Sequence, residues 1–569
     1  MKGFINFVKK LTRKKLFWVI LTIAVTIPTF STLIRPGFFP MHDDLQAFRI
    51  YEMDKCFADF QIPCRWVPDA GYQYGYPQYN YYPPSVYYLG EVFHLLGIQY
   101  IDSVKILFAL GFILSALAMY LLVSDLLGNF PGFIAAMLYT YVPYKAVDVY
   151  VRGAMSEFWA LVFYPLIFWA VYKLIKTLKP KYIAFLGLSL GGLLTTHLLM
   201  SMIFALPAVV WTIYWLIKEK KFKEFGNVVA GVLLGVGVAA FFILPVVFER
   251  QYAHTETLTM GYFGYLQHYV NVFKLFLSRE WGYGSSGFPN EKLNLSTGLV
   301  QWIFAVITIC IAGAYIFLKK KKEHLHLVIT LGALEVFTLF MIHVKSSFIW
   351  NAIPILSWLQ FPWRFLNVSI FLLAILGGLG IYLLPKFKIG IGVVVIALAF
   401  ILNVSYFVPK DWVNITDKEK FSGVSWQKEL TISIFDYLPI YAKLPPIKAA
   451  PATPEVLEGM AMFSEYLKGS DWQKGMVIVK TESALIRLPL FDFPGMVTKV
   501  DGKVVTHVNN DCRDEEFCLG LITYKVPGGE HKIEVELTDT PVRRIGNYLS
   551  IVSIAGAVGI LIKKKNGKT

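Results

Sequence analysis

Long apolar runs alternate with short basic clusters along most of this chain, and that alternation leaves few folds open to it. The runs fall at 16–34, 104–123, 130–142, 158–174, 228–246, 299–318, 327–342, 365–384, 389–404 and 545–562, with one longer stretch at 182–217. A bilayer core takes about 20 apolar residues of helix to cross, and lipid-exposed backbone keeps its hydrogen bonds there only as a helix or a closed barrel. The basic residues sit between the runs, in "KKLTRKK", "KTLKPK", "KEKKFK", "KKKKEH", "KFK" and "KKKNGK". Clusters in that position mark cytoplasmic loops. The formal charge of +15 is therefore a topology signal rather than the footprint of a nucleic acid, and no nucleic-acid partner is expected. With 56% hydrophobic residues, 16% charged and a mean hydropathy of +0.53, the chain reads as a mainly α, polytopic membrane protein.

The stretch 182–217 is apolar throughout, yet both its flanks, "KPK" and "KEKKFK", are basic. A single crossing does not return to the side it left. The stretch therefore predicts a hairpin of two short spans, with its apex near "TTHLLMS" on the outer face. With that hairpin the chain predicts a bundle of about twelve transmembrane helices, both termini being cytoplasmic. The connection "SDLLGNFPG" departs from the pattern, carrying almost no charge. The first run follows a basic segment, as a signal peptide does, but it is about the length of a span and lacks a small-x-small cleavage site. A retained anchor in the cytoplasmic membrane is expected.

The expected organisation is a transmembrane domain at 1–405 with a long first outer loop (35–103), an extracytoplasmic segment at 406–544, and a final helix with a basic tail at 545–569. Within 406–544, "ALIRLPLFDFPGMVTKVDGKVVTHV" and "GLITYKVPGGEHKIEVEL" alternate apolar and polar residues around DG and PGG turns. That pattern predicts a small antiparallel β domain before the last helix. On the same predicted side, Cys56 lies near Cys64 and Cys512 near Cys518. Disulfides would persist there, in an oxidising compartment, although the spacing alone also fits free thiols.

The topology sorts the polar residues. Asp43 and Asp44 open the first outer loop in "PMHDDLQAF"; Arg152 and Glu157 lie in "YVRGAMSEFWA", His197 at the hairpin apex and Arg364 in "LQFPWRFL". All fall at the outer boundary. A carboxylate there can deprotonate an incoming hydroxyl, and arginines can hold a phosphate whose lipid tail stays in the bilayer. Each residue also has a structural reading. Charges near span ends snorkel, Arg152 and Glu157 can pair with each other, and a histidine at a helix break is often a packing residue. The first loop further holds "IPCRWVPDAGYQYGYPQYNYYPPSVYYLG", in which Tyr76 and Tyr81 are candidates to stack on sugar rings, while an interfacial aromatic belt fits the same composition.

No P-loop, no GxGxxG in a βαβ context, no CxxC, HExxH or GxSxG occurs. A glycosyl donor for this chain would then be carried on a lipid rather than on a nucleotide. Base chemistry requires no cofactor, although two carboxylates could also bind Mg²⁺ or Mn²⁺.

Several stretches together resemble the membrane proteins called 6-pyruvoyl-tetrahydropterin synthase-related, close to the YfhO-like group, within the GT-C superfamily of glycosyltransferases. They are "HDDLQAFRIYEM", "IPCRWVPDAGYQYGYPQYNYYPPSVYYL", "RGAMSEFWAL", "TTHLLMS", "LQFPWRFL", "DYLP" and "FDFPGMVTKVDGK", in that order along most of the chain. The resemblance implies a multi-span core, transfer of a sugar from a polyprenyl-phosphate donor on the outer face with inversion, and a catalytic acidic residue in the first outer loop. That role falls on Asp43 or Asp44, with Asp43 matching the "HD" of the family pattern. Glu157 matches the acidic position of a second-loop motif and Arg364 the arginine of FPWRF. The family's name refers to a soluble pterin enzyme, and no zinc-ligand set for that activity is found here.

The expected function is thus glycosyl transfer to an envelope glycan, lipid or protein. Two rivals come from other classes. A transporter or flippase of lipid-linked precursors would place its polar residues near the bilayer midplane, whereas these gather at one boundary. A structural envelope protein would need far fewer spans for its anchor.

Overall fold

The computed structural model describes residues 14–289, 291–320, 322–384, 386–513 and 518–563, so most of the first and last basic clusters lie outside the described residues. In chain order the helices used below are α1 (Lys15–Thr26), α2 (Gln46–Ala58), α3 (Ser85–Leu95), α4 (Tyr100–Leu127), α5 (Asn129–Thr140), α6 (Met155–Thr177), α7 (Lys181–Thr196), α8 (Leu198–Glu219), α9 (Phe225–Val238), α10 (Ala240–Phe248), α11 (Leu299–Phe317), α12 (Leu325–Ile342), α13 (Leu366–Leu383), α14 (Lys388–Asn403) and α15 (Pro541–Ile562).

By length and composition, eight helices among the described residues can cross a membrane: α4, α6, α8, α11, α12, α13, α14 and α15, some with a flanking 3₁₀ turn. A ninth span results if α9 and α10 are one, bent by 75° between them. The other expected spans are helices, but short ones. α1 passes into 3₁₀ turns at Pro28, α5 stops just before Pro143, and α7 stops at His197 after 16 residues. Proline lacks the N–H that would continue a helix, which shortens runs that read as continuous by apolarity alone. The centre of the bundle is α13, whose apolar window is 94% buried, whereas that of α15 is only 17% buried and leaves its apolar surface for lipid.

The expected antiparallel sheet is present, with six strands: β1 (Glu455–Glu458), β2 (Ala461–Lys468), β3 (Trp472–Phe491), β4 (Met496–Val500), β5 (Lys503–Val505) and β6 (Leu521–Leu537). Their order is β1-β3-β6-β4-β5, with β2 also on β3. Asp501 and Gly502, both at positive φ, form the two-residue turn between β4 and β5. Asn-Gly and Asp-Gly pairs suit such turns because both positions need φ > 0. The PGG expectation fails: Pro527 to Gly529 lie inside β6, where a bulge sets residues between Val479 and Ser483 of β3 against Gly528. Residues 406–454 contain no strand; they form short helices, including Asp417–Lys420 and Gly423–Thr431, and extended connections.

Sheet and first loop share a core. Trp66 packs on Phe493 at 5.6 Å between ring centroids and Tyr74 on Phe491 at 5.4 Å, while the Phe491 N–H donates to Tyr74 O at 3.1 Å. The first loop is itself folded, with α2 and α3 packed together and Cys56 bonded to Cys64; Cys512 is bonded to Cys518.

Candidate functional site

Asp43 is placed by backbone before side chains act. His42 N–H donates to Val151 O at 3.0 Å and Asp43 N–H to Arg152 O at 2.9 Å, tying the start of the first loop to a π turn at Asp148–Arg152. That turn ends at Gly153, at φ +65°. A Cβ there would lie 2.2 Å from Met41 Sδ, so glycine is required both for its conformation and for the approach of Met41. Gly153→Ala is expected to lower the thermal midpoint, costing about 1–3 kcal/mol, with the Met41–Asp43 segment displaced; an unchanged midpoint would contradict this packing.

Asp43 Oδ2 accepts from Gln46 Nε2 at 2.9 Å and pairs with Arg49 Nη1 at 3.0 Å. Gln46 also donates to Gly153 O at 2.8 Å and accepts from Tyr87 OH at 2.7 Å, and the Arg49 guanidinium lies 4.1 Å from the centre of the Tyr82 ring. Among the described residues nothing meets Oδ1, and the Asp43 side chain is 34% exposed.

Glu157, in the first turn of α6, is bound on both oxygens. Oε1 accepts from Tyr144 OH and Asn367 Nδ2, each at 2.7 Å, and Oε2 accepts from Arg152 Nη2 at 2.8 Å and Arg364 Nε at 3.2 Å. Arg152 also pairs with the fully buried Asp148 at 2.5 Å, and Arg364 Nη1 donates to Leu359 O and Gln360 Oε1, each at 2.8 Å. A carboxylate so saturated is a holder of two guanidinium groups rather than a base. Among the described residues no acceptor meets Arg364 Nη2. His197, between α7 and α8, accepts from the Met200 N–H through Nδ1 at 3.4 Å, which puts its ring proton on Nε2.

Asp43, Arg152, Glu157, His197, Arg364 and Tyr81 all line one cavity of about 720 Å³. Asp44 and Tyr76, also candidates from sequence, lie outside it. Asp44 pairs with Lys420 at 3.0 Å, and Lys420 in turn pairs with Glu429 at 2.6 Å. Tyr76 is buried, donating to Ser433 O and Ile434 O and accepting from the Tyr437 N–H. Adjacent residues entering a turn send their side chains different ways, so the aspartate doublet does not converge. Among the described residues no group of three or more His, Cys, Asp or Glu side chains comes together to hold a metal.

The sequence reading missed other wall residues: Arg49, Arg250, Gln360, Asp436 and Tyr437. Arg49 was readable, because Gln46 and Arg49 follow Asp43 at intervals of three, one face of a helix start. Asp436 and Tyr437 stand in the "DYLP" stretch of the family resemblance, which assigned them no role; they reach the cavity through the irregular segment after Gly423–Thr431.

Helices fit for a membrane, joined to a folded first loop around a charged cavity, define a polytopic membrane protein. Residues 79–406 match the family described as "6-pyruvoyl-tetrahydropterin synthase related domain; membrane protein", and the chain belongs to that family. A protein of Lactococcus lactis subsp. cremoris (strain MG1363), described as uncharacterized, is 24% identical over 289 residues, which are 48% of this chain and 44% of that protein. Among solved structures, the Archaeoglobus fulgidus oligosaccharyltransferase tethered with an acceptor peptide aligns at a TM-score of 0.41 and 15% identity, over 76% of this chain and 60% of that one. Arabinofuranosyltransferase AftD from Mycobacteria aligns at 0.41 and 14%, over 70% of this chain and 28% of that one. The chain thus spans less than two thirds of each of these proteins, and likeness at this level assigns it no activity.

Proposed function

We propose that this protein is a membrane glycosyltransferase that moves a sugar from a polyprenyl-phosphate donor to a hydroxyl or amide of an envelope glycan, lipid or protein on the outer face of the cytoplasmic membrane. The observation that carries this reading is the convergence of opposite chemistries on one cavity. Asp43 presents a carboxylate with one oxygen unengaged, and Arg364 and Arg152, braced by Glu157, present guanidinium groups with His197 beside them. The volume of about 720 Å³ is within the range of small-molecule sites and fits a glycosyl phosphate. Apolar walls from Leu198, Leu199, Val246, Leu258 and Phe263 suit the first units of a lipid tail, and Tyr81 and Tyr437, stacked at 5.7 Å, suit the face of a sugar.

In this reading Asp43 orients the acceptor for attack on the anomeric carbon. Arg364 and Arg152 stabilise the charge that develops on the departing phosphate, and Glu157 keeps them in place. The topology with both termini in the cytoplasm belongs to the same proposal.

The test is transfer by purified protein from a panel of polyprenyl-phosphate and polyprenyl-diphosphate sugars, followed as donor loss. Asp43→Asn, which removes the group that orients the acceptor, is expected to lower transfer about 10²-fold with the fold retained, whereas Asp44→Asn, outside the cavity, keeps most of it. Full turnover in the Asp43 variant would remove Asp43 from the mechanism.

A further inference from the structure

A second carboxylate, Asp436, shares the cavity with Asp43. Asp436 lies in the segment that follows the short helix Gly423–Thr431 and forms one wall together with Ile432, Ser433 and Tyr437. Its surroundings differ from those of Asp43. Asp43 is held by a direct ion pair with Arg49 and by the Gln46 amide. Among the described residues no lysine, arginine or histidine pairs with Asp436; the charged and titratable groups that interact with it are Arg49 and Asp43 from the first loop, Tyr76 and its neighbour Tyr437, which Arg364 also influences. A carboxylate pinned by a guanidinium is a weak proton acceptor, because protonation must give up the ion pair. One without a cation partner keeps its basicity.

We propose that Asp436 is the general base of this site: it takes the proton of the acceptor, while Asp43, fixed by Arg49 and Gln46, orients that acceptor by a hydrogen bond to Oδ1. The step balances. The acceptor's O–H or N–H bond breaks and its proton goes to an Asp436 carboxylate oxygen. The acceptor atom bonds to the anomeric carbon as the bond from that carbon to the phosphate oxygen breaks, and the electron pair leaves on the phosphate, beside Arg364 and Arg152. The proposal rests on the glycosyltransferase reading. Burial pushes the Asp436 carboxyl up to about 6, against the pull of the neighbouring Ser433 and of Arg49. A base in that range is ionised at neutral pH and still strong enough to accept a proton.

The experiment is the pH dependence of transfer by the purified full-length protein, its Asp43→Asn, Asp436→Asn and Asp436→Glu variants, with donor binding measured in parallel. Wild-type transfer is expected to fall as pH drops through about 6, as the base becomes protonated. Asp436→Asn is expected to lose about 10²-fold or more in rate and the inflection with it, while binding donor as wild type does. Asp43→Asn should keep the inflection on its residual rate, and Asp436→Glu should recover transfer with the inflection moved. An Asp436→Asn variant that transfers at the wild-type rate, or with the wild-type pH profile, overturns the proposal, as does an Asp436→Glu variant that binds donor but is no faster than Asp436→Asn. A wild-type protein inert toward every donor instead fails the underlying glycosyltransferase reading and overturns the proposal with it.

Discussion

Glu157→Gln is expected to be among the most damaging single changes in the bundle. The residue is 2% exposed and supplies the carboxylate shared by Arg152 and Arg364. Arg152 retains Asp148, but Arg364 keeps only the neutral oxygens of Leu359 and Gln360. Removing one partner of a buried ion pair typically costs about 3–5 kcal/mol, because the remaining charge is desolvated without compensation. A marked drop in the thermal midpoint of the detergent-solubilised protein is expected, together with weakened binding of a polyprenyl phosphate. Adding Arg364→Met should return much of the stability, since it removes the stranded charge, but none of the binding. A midpoint unchanged by Glu157→Gln would show that the two guanidinium groups do not depend on it.

The second large effect is expected at the junction of the sheet segment, the last helix α15 and the end of α10. Arg543 is fully buried in the first turn of α15, and its Nε donates to Glu249 Oε2 at 2.9 Å. Glu249 also accepts from Asn80 Nδ2 at 3.1 Å and from Thr540 Oγ1 at 2.5 Å, and its backbone oxygen accepts from Tyr81 OH at 2.7 Å. One residue therefore connects the β-sheet segment, the first loop and the cavity wall at Tyr81 and Arg250. Glu249→Ala should destabilise by about 3–5 kcal/mol. The pair Glu249→Leu with Arg543→Met should be far milder than either change alone, since a well-packed apolar pair often replaces a buried ion pair without loss. Thermal unfolding of the four proteins of the cycle measures this, and strictly additive losses would show that the two residues are not coupled.

The local features of the chain carry over well from sequence to structure. The Asp501–Gly502 turn, the β alternation on either side of it and most apolar helices follow from patterns a few residues long, and those patterns act through backbone dihedrals and hydrophobic periodicity that each segment carries by itself. Expectations drawn from apolar length alone were less secure. The runs at 16–34 and 130–142 each contain or abut a proline that ends the helix, and 228–246 bends by 75° between α9 and α10. The PGG segment reads as a turn because its residues favour one, yet opposite a longer stretch of β3 the same residues make a bulge.

For the site, composition and topology brought Asp43, Arg152, Glu157, His197 and Arg364 to one boundary, and each lines the cavity. Their roles were not legible. Sequence presents Asp43 and Asp44 as equivalent, and only the fold separates them, by giving one Arg49 and an open oxygen and the other the buried Lys420–Glu429 pair. Sequence offers Glu157 as a partner for Arg152, and the fold adds Arg364, Tyr144 and Asn367 around the same carboxylate. The sequence by itself determined that this chain is an α-helical membrane protein with a β-sheet near its end, because burial of apolar area and backbone hydrogen bonding in lipid act on each segment alone. The tertiary structure decided which carboxylate is held and which has an open oxygen, because a carboxylate's chemistry depends on the groups placed around it: Gln46 and Arg49 lie close to Asp43 in the chain, but Lys420 reaches Asp44, and Arg364 and Asn367 reach Glu157, from hundreds of residues away.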